Sequence, residues 1–200
     1  MPPMDIVAVT RQLTVEDTEA AYRAGIFPMF YPEENVFTWH CPDPRAILPL
    51  DSFHASRSLR RTIRKSGFAV SFDRDFRGVM EGCAEGRPVW IGPRFYDVYG
   101  ELHRQGKAHS VEVIQDGKLV GGTYGVHLGG AFFAESKFHR VTDASKVALA
   151  ALVARLRECG FELLDVQYLT PHLASLGARE VPRAEYLRLL RHALGVECRM

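Results

Sequence analysis

Long apolar runs are missing from this chain. Among its 200 residues no stretch approaches the roughly 18 to 20 apolar residues that a helix needs to cross a bilayer. The opening MPPMDIVAVTRQ lacks the basic, then apolar, then small-residue order of a signal peptide. Cysteine is scarce too: Cys41, Cys83, Cys159 and Cys198 lie far apart with no C-x-x-C pair, which argues against a structural zinc site and a disulfide framework. The eight histidines contain no H-E-x-x-H pair that would hold a metal. There is no G-x-S-x-G elbow, and His109 and Ser110 occupy adjacent, opposite-facing positions, so nothing resembles a Ser-His-Asp set. Repeats and low-complexity tracts are absent. Free cysteines without a leader or membrane segment lead us to expect a cytoplasmic protein.

What remains is an ordinary globular composition, 46% hydrophobic and 24% charged, long enough to bury a core without staples. The net charge of +1 conceals an asymmetry. Residues 54–65, HASRSLRRTIRK, hold Arg57, Arg60, Arg61, Arg64 and Lys65 with no acidic residue among them. We expect a helix here, with Leu59 and Ile63 inward and the cations outward. Without anions one turn away the ordinary surface pairing is lost, which favours a face for polyanion over a merely solvated one.

Local patterns divide the rest. Thr14 with Asp17 opens a short helix from about 15 to 24. The stretch GIFPMFYPEENVFTWHCPDPR carries four prolines, which exclude helix or central strand, and reads as an irregular aromatic loop. FAVSF is a strand, and Asp73 is placed to cap the helix after it. Pro93 opens another helix that ends before Gly106. Three strands then form a meander, its first link Asp116-Gly117 and its second Gly129-Gly130. Asp143 is placed to cap a long helix with Val147, Ala148, Ala151, Leu152 and Leu156 on one face. The strand FELLDVQYL follows, and a helix from about 182 to 194 closes the chain. The expected architecture is α+β, with a mixed, largely antiparallel sheet flanked by helices. We expect an N-terminal segment over 1–66 and the main domain over 67–200.

Two carboxylates stand out on apolar strands. Alternation puts Leu163, Asp165 and Gln167 on one face of FELLDVQYL, and Phe133, Glu135 and Lys137 on one face of AFFAESKF. A carboxylate inside a sheet is either paired or functional, because burying its charge alone costs several kcal/mol. If the two strands are neighbours, Glu135 approaches Asp165, and such a pair can orient or deprotonate an amine. Lys137 can equally neutralise either as a structural ion pair.

The stretches AYRAGIFP, PDPRAIL, SRSLRRTIRK, LHRQGKAHSVEV, LVGGTYGVHLGGAFFAES, DASKVALAALV and LLDVQYLTPHLASLGA, in this order, resemble the leucyl/phenylalanyl-tRNA–protein transferase family. The resemblance implies a core similar to the GCN5-related N-acetyltransferase fold. It also implies transfer of an aminoacyl group from tRNA to the N-terminal amine of a protein that begins with Arg or Lys, in N-degron turnover. The ester is already activated, so no cofactor or metal is called for. Aminoacyl-tRNA and the acceptor protein are the implied partners, and the chain is expected to act as a monomer. By position, Asp165 and Gln167 match the family's catalytic pair. Glu135 matches an acid facing the acceptor, Trp90 an aromatic stacking on the terminal adenosine, and Tyr99 and Phe132 other pocket positions. The basic helix matches a tRNA-binding surface. Thr123 and Lys137 replace pocket methionines, and Met29 stands where the family usually has Trp, so the departures gather around the transferred amino acid.

Two other readings compete. A CoA-dependent N-acyltransferase on the same fold would cradle pyrophosphate in a Gly-rich turn before the long helix, and the turn here, HRVTDASK, has no glycine. A non-catalytic tRNA- or protein-binding homologue would have no need of Asp165, Gln167 and Glu135 together.

Overall fold

The computed structural model describes residues 5–85 and 91–200. Its smaller sheet has three antiparallel strands, β1 (Ile6–Thr10), β2 (Phe27–Tyr31) and β3 (Val36–His40), with β3 in the middle. The larger sheet holds β4 (Arg45–Ile47), β5 (Ala69–Phe72), β6 (Ala108–Gln115), β7 (Lys118–Leu128), β8 (Ala131–His139), β9 (Leu163–Gln167) and β10 (Arg179–Val181). Their spatial order is β10-β4-β9-β8-β7-β6-β5. The helices are α1 (Val15–Arg23), α2 (Arg57–Lys65), α3 (Phe76–Ala84), α4 (Pro93–Arg104), α5 (Ala144–Glu158), α6 (Pro171–Ser175) and α7 (Arg183–Leu194). Among the described residues only β8 and β9 pair in parallel, joined by the α5 crossover that a parallel neighbour requires. The expected α+β architecture with a mixed, largely antiparallel sheet is what forms.

Side chains from the two faces of the large sheet belong to two core clusters. One gathers Tyr22, Val79, Phe95, Tyr99, Phe133 and Tyr186 from α1, α3, α4, β8 and α7. The other gathers Leu59, Phe132, Ala148, Leu152, Leu164 and Val166 from α2, β8, α5 and β9. Alternation along β9 explains why Leu163 enters the first cluster and Leu164 the second.

Several local expectations need correction. The proline-rich stretch is not irregular: it builds β2 and β3, and Pro28 is tolerated because β2 is an edge strand. Its aromatics form a packed row, Phe30 on Phe37 at 5.2 Å and Phe37 on Phe95 at 5.8 Å. The segment before residue 66 also contributes β4, hydrogen-bonded between β9 and β10. Ile63 is 43% exposed, and Leu59 alone is buried on α2. Asp73 does not cap α3: its carboxylate accepts from the Ser110 amide and faces His109 Nδ1 at 2.7 Å. Asp75 does the capping, accepting from Gly78 N–H at 2.9 Å, which is worth about 1 kcal/mol. Asp143 occupies the N-cap position of α5 with φ +66° but makes no cap bond; it accepts from Lys146 instead, at 2.7 Å.

The consequential irregularity lies in β8. Tyr124 pairs with Ser136 and Gly125 with Ala134, so Glu135 is an extra residue opposite no partner, a β-bulge. The bulge breaks strict alternation, which is why Phe133 and Phe138 share one core cluster. Gly125 is needed opposite it, since a Cβ there would lie 2.2 Å from the Phe133 carbonyl oxygen and 2.4 Å from the Phe132 ring.

Candidate active site

Parallel pairing of Phe133 with Asp165 makes the two acid-bearing strands neighbours and brings the bulge beside the end of β9. Glu135, Lys137 and Gln167 line a cavity of about 280 Å³ whose other walls include Phe27, Met29, Tyr168 and Leu173. Asp165 lies behind this cavity, with 0% of its surface exposed.

The setting of Asp165 is one of complete satisfaction. Arg45 Nε donates to Oδ1 at 2.9 Å and Nη2 to Oδ2 at 2.6 Å. Tyr186 Oη donates to Oδ2 at 2.6 Å and the Gln167 backbone N–H to Oδ1 at 2.9 Å. Arg45 is itself 1% exposed, donates Nη1 to the Gly25 carbonyl at 3.0 Å, and lies between the rings of Phe27 and Tyr186, 4.7 Å from each centroid. A bidentate guanidinium, with all four acceptor sites of the carboxylate filled, is the arrangement in which a buried ion pair survives the loss of water.

Asp165 also shapes the backbone that follows it. Gln167 has φ +58°, and the Tyr168 N–H donates to the Val166 carbonyl at 2.7 Å, closing a γ-turn with Gln167 at its centre. That form of γ-turn is rare for a residue with a side chain and costs about 1–3 kcal/mol. The bond from the Gln167 N–H to Asp165 Oδ1 helps hold it. Strand alternation therefore ends at Val166, and the turn rather than the pleat aims the Gln167 amide, whose Nε2 donates to Glu135 Oε1 at 3.4 Å.

Glu135 has the opposite electrostatic setting. Burial pushes its carboxyl up to about 8, against hydrogen bonds from Tyr22 and Tyr99 that favour the ionised form; the Asp165 charge adds to the rise and Arg45 opposes it. Tyr99 Oη donates to Oε2 at 3.3 Å, and Tyr22 and Tyr99 share a bond of 2.6 Å. A carboxyl poised near neutrality in a cavity can exchange a proton with an amine.

Of the other positions singled out in the sequence, Tyr99 supports Glu135 from below, and Lys137 borders the cavity. Thr123 is 2% exposed and spends its hydroxyl on the Ser136 carbonyl at 2.8 Å; Phe132 is 1% exposed and packs in the core. Neither lines the cavity. Trp90 lies outside the described residues. Arg57, Arg60, Arg61, Arg64 and Lys65 are all exposed on α2, and among the described residues none of the five enters an ion pair. Arg45, Tyr186 and Tyr22 were not anticipated. The available signal was the need of a buried Asp for a cation; the partner, 120 positions away, is fixed only by the pairing of β4 with β9.

An α+β domain with paired acids at a strand end and a basic helix defines a class of group-transfer protein, and comparison narrows it. The family model described as leucyl/phenylalanyl-tRNA protein transferase matches residues 47–191, and the model for that transferase's N-terminal domain matches residues 11–43. A leucyl/phenylalanyl-tRNA–protein transferase of Herpetosiphon aurantiacus is 52% identical over 187 residues, covering 93% of this chain and 97% of its own. One of Ruegeria pomeroyi is 57% identical over 175 residues, covering 86% and 83%. The chain belongs to the leucyl/phenylalanyl-tRNA–protein transferase family. Among solved structures, a GCN5-related N-acetyltransferase from Kribbella flavida aligns with TM-score 0.46 at 11% identity, over 70% of this chain and 55% of that one. That likeness is too distant to add to the architecture described above. No helix among the described residues is long and apolar enough to cross a membrane.

Proposed function

We propose that the chain moves an aminoacyl group, of the leucyl or phenylalanyl class, from the 3′ end of tRNA to the N-terminal amine of a protein beginning with Arg or Lys. Family membership supports the reaction. The juxtaposition of Glu135 and Gln167 on one cavity wall, braced from behind by the Asp165–Arg45 pair, is the observation that supports the mechanism.

The acceptor arrives as an ammonium and must lose a proton before its nitrogen attacks. An α-amine titrates at about 7.7–8.0, and Glu135 is poised at about 8. Matched acidities let the proton pass to the ionised fraction of Glu135 with little cost in either direction. The nitrogen then adds to the ester carbonyl carbon. As that centre collapses, the bond to the ribose oxygen breaks and the leaving oxygen takes back a proton, which Glu135 can supply. Gln167 holds the amine or the developing oxyanion with its amide. Asp165, its lone pairs occupied, positions Gln167 rather than taking the proton. A carboxyl that ionises more readily beside cations favours acceptors that bring both an α-ammonium and a basic side chain. The chain is proposed to act as a monomer, and the four free cysteines suit the cytoplasm, where N-degron turnover operates.

The exposed cations of α2 are proposed to meet the tRNA phosphates. Reversing charge at Arg60 and Arg61 should then weaken tRNA binding and flatten its salt dependence; a wild-type salt slope would remove α2 from the interface. The reaction itself is tested by incubating the protein with separately charged tRNAs and an Arg-initiated peptide while following peptide mass. Gain of Leu or Phe supports the reading. Gain of only another amino acid replaces the donor class, and no gain from any tRNA refutes the reaction.

A further inference from the structure

Next to the candidate active site is a second cavity, of about 470 Å³, which shares Lys137 and Thr170 with the first. Its character differs. Lys137, His139, Ser145, Lys146 and His172 supply nitrogen and oxygen donors, with Asp143 the one carboxylate on the lining. Lys146 Nζ donates to Asp143 Oδ1 at 2.7 Å, and Ser145 Oγ meets His139 Nδ1 at 3.3 Å. Two ammonium groups and one carboxylate share the lining, and the balance felt at His172 is positive. His172 carries the mark of it: burial first, then Lys137, Lys146 and His139, hold its imidazole below the ordinary histidine range. Its Nε2 is buried with no hydrogen-bond partner among the described residues. The first turn of α5, a helix of 15 residues, forms part of the wall and adds the partial positive charge of its N–H groups.

We propose that this cavity binds phosphate and takes the phosphodiester that joins the last nucleotide of the donor tRNA to the one before it. The source rests on the proposed function; the phosphate chemistry does not. The shared wall is what selects that phosphodiester. A donor whose ester lies over Glu135 and Gln167 carries its nearest negative charge one ribose away, and Lys137 and Thr170 border both spaces. Lys137, on the wall common to both cavities, thereby has a use: its long stem spans from the first while its ammonium serves the second.

The test compares two minimal donors, aminoacyl-adenosine and aminoacyl-adenosine 5′-phosphate, alongside aminoacyl-tRNA. In the wild type the phosphate should raise kcat/KM about tenfold, the scale of a charge-assisted contact. Lys146→Met should reduce that ratio to about one, and Lys146→Arg should restore it. An unchanged ratio in Lys146→Met, or no advantage of the phosphate in the wild type, overturns the proposal. A second readout needs no transfer. Inorganic phosphate added to the protein alone should move the His172 imidazole titration, followed by proton NMR, to higher pH, and should fail to do so in Lys146→Met. An unmoved wild-type titration also overturns the site. If phosphate moves His172 but no donor transfers, the function fails while the anion site stands. If coenzyme A then displaces phosphate and adenosine 5′-phosphate does not, the tRNA source is overturned.

Discussion

Asp165 and Glu135 stand on neighbouring strands of one sheet, yet the protein handles their charges in opposite ways. Asp165 receives a bidentate guanidinium, a phenol and a backbone amide, and is fixed as part of the frame. Glu135, set out of register by a bulge, receives two phenols and a side-chain amide, and burial leaves it near the point of losing its proton. The first arrangement fixes geometry; the second keeps a proton available. A sheet end that carried two carboxylates of either kind would lack one of these properties.

The largest effect should come from breaking the frame. Arg45→Met leaves Asp165 buried without its cation, and removing one partner of such a pair costs about 3–5 kcal/mol. Urea unfolding should show that loss; a cost below about 1 kcal/mol would mean Asp165 is not held by Arg45. The next effect separates the two acids by chemistry. Glu135→Gln should lower kcat by about 100-fold or more, measured at saturating donor. Its stability should respond in the opposite sense to that of Arg45→Met. The folded protein retains the Glu135 proton between its ordinary value of 4.5 and about 8, while the unfolded chain releases it. Native stability therefore falls as pH rises through that window. Glutamine cannot ionise, so the variant should melt above the wild type at pH 9 and alongside it at pH 4. Parallel melting curves across that range would show that Glu135 is not poised as described.

The division between what the sequence made legible and what it hid follows contact range. Asp116-Gly117, Pro93 and Thr14 with Asp17 specify their turns and caps through neighbours in the chain, and each element formed where expected. The two acids were legible as anomalies because period-2 patterning marks any charge on an apolar strand. Their difference was not. It depends on Arg45 reaching across 120 positions, on Tyr186 from the last helix, and on Tyr22 and Tyr99 rising from two others. The bulge at Glu135 and the γ-turn at Gln167 each break alternation at the point where alternation was being used to place the side chain. Local pattern cannot report its own interruption, because the cause lies in the partner strand: Gly125 opposite the bulge, and the Asp165 side chain beneath the turn.

Gln167→Gly would sharpen the comparison from the side of the turn. Glycine accepts φ +58° without strain, so the stability of the fold should change by no more than about 1 kcal/mol. Transfer should nevertheless fall about tenfold or more, on the scale of one lost transition-state hydrogen bond. Loss of stability by several kcal/mol would instead make Gln167 part of the frame with Asp165.

The smallest perturbation is the most discriminating. Tyr186→Phe deletes one hydroxyl from Asp165 and keeps the ring that Arg45 faces at 4.7 Å, so the guanidinium should stay in place. Three donors to Asp165 remain, and the stability cost should be about 1 kcal/mol, with kcat lowered less than fivefold. The informative quantity is the pH dependence of kcat. A carboxylate that loses a hydrogen-bond donor holds its proton more tightly. Were Asp165 the acceptor of the amine's proton, the acid limb of the profile would shift to higher pH in this variant. With Glu135 in that role and Asp165 confined to holding the Gln167 turn, the limb keeps its position and only the height of the profile drops.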